Sequence, residues 1–125
     1  MANYVWSDLD IITVPSVRAV DNIPTLTHNI TVTNNGASDY VLTGTDRTST
    51  HSSANDPTVT LMIGDTINFA VNASGHPFFI KTAATTGTGD QASGVTNNGA
   101  ENGTVSWTPD TVGTYYYICQ YHGAM

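Results

Sequence analysis

Basic residues are scarce in this chain. Lysine and arginine together number 3 against 10 aspartates and glutamates, a net charge of −7. A nucleic-acid partner needs a basic stripe, and so few cations argue against one. There is 1 cysteine, which rules out an internal disulfide and leaves a single thiol to account for. No apolar run is long enough to span a membrane, and no amphipathic stretch reaches helical length. The opening "MANYVWSDLD" lacks a basic region followed by an apolar one, so it does not read as a signal peptide. The mature form of an exported protein begins the same way, so the compartment stays open.

What the chain does contain is enough apolar material for one core: 39% of its 125 residues. It comes in short alternating runs set in a Thr, Asn, Gly and Ser background. "LTHNITVTN" aligns Leu26, His28, Ile30 and Val32. "TVTLMI" aligns Val59, Leu61 and Ile63, and "TINFAVN" aligns Ile67, Phe69 and Val71. "HPFFIKT" aligns His76, Phe78 and Ile80, "GTVSWT" aligns Val105 and Trp107, and "TYYYIC" aligns Tyr115, Tyr117 and Cys119. A period of two over β-branched and aromatic residues predicts half-buried strands. "YVLTGT" and "LDIITV" are weaker versions of the pattern. Turn signals such as "NNGASD", "SSANDP" and "NASGHP" separate the runs. The expected fold is all-β, a two-sheet sandwich. Residues 83–102, long and polar, are expected to hold a short edge strand. A soft boundary near "TNNGAS" divides an N-terminal extension, residues 1–35, from the main domain, residues 36–125.

The chemistry gathers at "CQYHGAM". Cys119, His122 and Met125 follow a C-x2-H-x2-M spacing. A thiolate, an imidazole and a thioether together form a copper ligand set. A trigonal site needs a second histidine, and His76 follows the turn "NASG" with the parity of Phe78 and Ile80. Zinc fits the same ligands. A Cys–His nucleophile pair lacks a third group to orient the histidine, and there is no His-x-His pair of the multicopper-oxidase kind, so no enzyme activity is expected. His28, on an apolar face, reads as a satisfied core or rim histidine. His51, in "TSTHSSAND", reads as solvated loop, and Asp90, Glu101 and Asp110 read as solvated rim.

The stretches "PTVTLMIGDTINFAVNASGHPF" and "GTVSWTPDTVGTYYYICQYHGAM" resemble the cupredoxins, the plastocyanin and amicyanin family of small blue copper proteins. The resemblance runs from about Tyr40 to Met125 and includes four ligands in family order. It implies a cupredoxin Greek-key sandwich with one type 1 copper ion. His76, Cys119 and His122 are then equatorial ligands and Met125 the axial one. The implied function is one-electron transfer to a redox partner protein, with a basic docking surface suiting this acidic chain. An extracytoplasmic site such as a periplasm, lumen or virion surface is what the family suggests. The departures are Pro77 after the first ligand, Ile118 where plastocyanin has a tyrosine, and a chain that stops at the axial methionine. In the family a further strand pairs with the cysteine strand. Here that edge is expected to be filled by the N-terminal extension or by a neighbouring chain. A second reading is a structural or adhesive surface module built on the same fold, similar to plastocyanin-like modules of marine phage and bacterial proteins.

Overall fold

The computed structural model describes residues 10–15 and 24–125. These form two sheets and no α-helix. In chain order the strands are β1 (Ile11–Val14), β2 (Thr27–Asn35), β3 (Asp39–Thr45), β4 (Thr50–Asn55), β5 (Val59–Thr60), β6 (Thr66–Asn72), β7 (Phe78–Lys81), β8 (Asn102–Trp107) and β9 (Gly113–Cys119). One sheet has the order β5-β1-β9-β7, the other β4-β3-β2-β6-β8. The all-β sandwich expected from the alternation is what forms.

Alternation fixes which side chains enter the sandwich. In β6, Ile67, Phe69 and Val71 are buried; in β2, His28, Ile30 and Val32 are. The outward positions of the same strands are Thr and Asn, which tolerate water, with Ala70 the one apolar exception. Between the sheets Tyr40, Phe69, Phe78 and Tyr117 form an aromatic group, with ring centroids 4.9–6.4 Å apart. Tyr117 buries its ring and donates its hydroxyl hydrogen to the Pro57 carbonyl at 2.6 Å.

Both strand-like runs of residues 1–35 enter the sheets. β2 runs parallel to β6 over six paired positions and antiparallel to β3. β1 lies antiparallel along β9, with Ile12 opposite Tyr115 and Thr13 opposite Thr114. The edge of the cysteine strand is thus occupied by a strand from the N-terminal stretch, with β7 on the other side. Leu9, the first residue of "LDIITV", lies outside the described residues.

Three expectations differ in detail. β4 has no counterpart among the expected strands, yet Thr50–Asn55 pairs with β3. His51 is accordingly not solvated loop: it is buried, with Nε2 2.8 Å from Asp46 Oδ2. Residues 83–101 contain no strand of their own. They make isolated bridges instead: Gln91 to Lys81 and Ala100 to Phe78 cover the free edge of β7, and Thr96 to Ser106 covers that of β8. His28 is a satisfied core histidine, 3.0 Å from Asp65.

Asp65 organises the end of the sandwich that carries the "GDT" turn. Its carboxylate, wholly buried, accepts hydrogen bonds from the N–H groups of Leu26 and Met62 and from the Arg47 guanidinium, and pairs with His28. Burial opposes its charge, but Arg47 and these donors overcome that and hold its carboxyl well below the usual range. This end is opposite the one reached by the last residues of β6 and β9, where His76, His122 and Cys119 lie.

Candidate metal centre

Two segments deliver the site. The first is the turn between β6 and β7. The His76 N–H donates to the Ala73 carbonyl at 2.9 Å, closing the turn. Gly75 has a φ of +83°, a left-handed conformation that glycine adopts without strain. Glu101 secures the turn from β8's side: its Oε1 accepts the Gly75 N–H at 2.7 Å, and its carbonyl accepts the Ala73 N–H. Tyr40 fixes the far end, donating from its hydroxyl to the His76 carbonyl at 2.7 Å. Burial, and next the nearby Cys119 sulfur, push the Tyr40 phenol well above its ordinary pKa, so it remains a donor.

The second segment is the end of β9 and the loop after it. Cys119 pairs with Phe78 across the β7–β9 ladder, and the Gln120 N–H donates to the Pro77 carbonyl at 3.1 Å. This pairing sets Cys119 beside the His76 turn. The chain then reverses: the Met125 N–H donates to the His122 carbonyl at 3.2 Å. The absence of an N–H at Pro77 costs nothing here, because its carbonyl is the group the ladder uses.

The result is a tight cluster. Donor atoms of His76, Cys119 and His122 all lie within 4.8 Å of one another. Cys119 Sγ is 3.4 Å from His122 Nδ1 and 3.7 Å from His76 Nδ1. Both imidazoles turn the same nitrogen to the sulfur, with ring centroids 5.0 Å apart. The Tyr121 N–H points at the same sulfur from 3.5 Å. An ion bonded to nitrogen and sulfur at about 2.0–2.3 Å in a triangle needs donors roughly 3.5–4 Å apart. The observed sulfur–nitrogen separations suit that spacing, so the group could hold a metal ion. Among the described residues it is the one cluster of histidine, cysteine and carboxylate side chains with this property.

Access is one-sided. Cys119 is wholly buried, and His76 and His122 are partly exposed. Met125, also wholly buried, joins the core cluster that includes Cys119. Tyr121, Gly123 and Ala124 are exposed around His122. Sequence patterns named the cluster residues but missed Tyr40 and Glu101, which hold the His76 turn from positions far along the chain. No protein-family profile matches this chain, and neither a curated protein nor a solved structure is significantly similar to it.

Proposed function

We propose that the chain is a cupredoxin-type electron carrier binding one copper ion through His76, Cys119 and His122, with Met125 as axial ligand. The observation that carries the reading is the convergence of one thiol sulfur and two imidazole Nδ1 atoms at 3.4 and 3.7 Å. A thiolate with two imidazoles and a weak thioether is a donor set suited to copper. Copper, when bound, supplies a one-electron couple between Cu(I) and Cu(II).

The chain's own residues do the rest. The β7–β9 ladder holds Cys119 beside His76. Tyr40 and Glu101 fix the His76 turn, so the imidazole is oriented before any ion arrives. Burial of Cys119 and Met125 keeps water from the sulfur side. His122, with Gly123 and Ala124 beside it, offers the exposed edge through which a redox partner exchanges electrons. Of the 3 cations in the sequence, Arg47 is tied to Asp65 and Lys81 is buried. The described surface therefore favours a basic partner.

A structural module is the second reading, favoured by the outer face of the five-stranded sheet. There Asn29, Asn68 and Ser106 form a hydrogen-bonded row, and Thr31, Ala70 and Thr104 a second row, none of them charged. The two readings part on redox behaviour. An electron carrier titrates reversibly with one electron per chain at a single potential. A copper-loaded chain that cannot be reduced and reoxidised without losing its ion is a structural module.

A further inference from the structure

β7 ends in a cation where the rest of the strand is apolar. It reads Phe78-Phe79-Ile80-Lys81, and all four residues are buried. Phe78 and Ile80 belong to the core between the sheets. Phe79 and Lys81 alternate with them and face residues 82–101, which fold over that side. The Lys81 side chain has no exposed surface.

A buried ammonium is costly unless its donors are satisfied. Lys81 Nζ donates to the Thr85 carbonyl at 2.8 Å and to the Gly87 carbonyl at 2.7 Å. The Phe79 ring lies 5.5 Å away, within reach of a cation–π contact. Burial pushes the ammonium's pKa down, while the Asp90 carboxylate favours its charge.

Gly87 connects this cation to the ligand loop. Its carbonyl accepts the Lys81 hydrogen bond, and its N–H donates to the Gln120 carbonyl at 2.7 Å. Gln120 is the residue after Cys119. At φ = +87° the Gly87 backbone is in a region where other residues are strained. A Cβ added at Gly123 would lie 3.7 Å from the Thr86 methyl, so the same loop also passes close to the ligand segment there.

We propose that Lys81 is a positioning residue for the loop that carries Cys119, His122 and Met125. Its buried ammonium fixes residues 85–87, and the Gly87 amide passes that order to Gln120. Relevance to a metal rests on the copper reading above, but the mechanical link does not.

Lys81→Met tests the link, because methionine fills similar volume and donates nothing. In the metal-free protein, amide hydrogen exchange at Gly87, Tyr121 and Met125 should rise at least tenfold, with Phe69 and Val71 unchanged. Loaded with Cu(II), the variant should lose the ion to a chelator at least tenfold faster, with a shifted thiolate-to-copper band. A folded variant with unchanged exchange at Tyr121 and Met125 overturns the proposal. Should Lys81→Met fail to fold, the wild type decides. Gly87, Tyr121 and Met125 should open with one free energy and one denaturant slope, and independent opening at Gly87 overturns the link. If the wild type takes up no copper, the electron-carrier reading fails while the exchange data still judge Lys81.

Discussion

The Tyr40 hydroxyl donates a 2.7 Å hydrogen bond to the main-chain carbonyl of His76, joining residues 36 positions apart. The donor comes from β3 in one sheet, and the acceptor lies on the turn leading into β7 in the other. The contact therefore ties the two sheets together at the site itself. Tyr40→Phe keeps the ring and its packing on Phe78 but leaves the carbonyl short of a donor. A loss of about 1–2 kcal/mol is expected from such a deletion, read as a lower urea midpoint with an unchanged slope. Copper affinity should fall as well. Unchanged stability and affinity would show that the bond does not orient His76.

The buried carboxyls set opposite pH trends. Burial, with a smaller push from neighbouring acids, raises Asp56 to about 8 and Asp10 to about 7. Unfolded aspartates titrate near roughly 3.9. Between that value and about 8 the folded chain keeps protons that the unfolded chain has lost, so stability falls as pH rises. Asp65 and Asp46 act the other way, since donors and a partner hold them low despite burial. Their contribution is present above the unfolded value and is lost as pH falls through the folded ones. Urea midpoints should therefore peak near about pH 4 and fall from there towards pH 8. Asp56→Asn, which keeps an acceptor for the Tyr40 N–H, should raise the midpoint at pH 8 and leave it unchanged at pH 4. A midpoint that climbs steadily from pH 4 to 8 contradicts this.

Much of this was legible in local sequence. Ile67, Phe69 and Val71 announce β6 by their alternation, and the spacing of Cys119 and His122 marks the loop that closes on His76. β4 was not legible, because "THSSAN" has His51 as its one buried side chain and otherwise looks like turn. An edge strand that rests on one neighbour needs no apolar face. Lys81 carries no sign of burial in the sequence, and only the fold of residues 82–101 over β7 buries it. Tyr40 and Glu101 leave no local signal, since their partners lie far along the chain.

β1 guards the edge of the cysteine strand. Ile12 is wholly buried opposite Tyr115. Ile12→Ala should cost about 2–5 kcal/mol. Removing residues 1–14 should expose the β9 edge and drive self-association, visible by sedimentation. A monomeric truncation of unchanged stability would mean that β1 only decorates the edge.

Met125 tests the axial assignment separately from the equatorial one. A weak axial thioether tunes a copper site more than it holds it. Met125→Gln should keep copper bound and lower the reduction potential, because an oxygen donor favours Cu(II). Potentiometric titration reads this directly, and an unchanged potential removes Met125 from the ligand set.

The central claim is a copper–thiolate bond at Cys119 flanked by His76 and His122. The visible spectrum during anaerobic Cu(II) addition tests it most directly. An intense thiolate-to-copper band should grow to saturation near one equivalent, and Cys119→Ser should abolish it while the far-ultraviolet spectrum still reports a folded β protein. Cu(II) uptake that leaves the wild type colourless, or no uptake at all, would contradict the account.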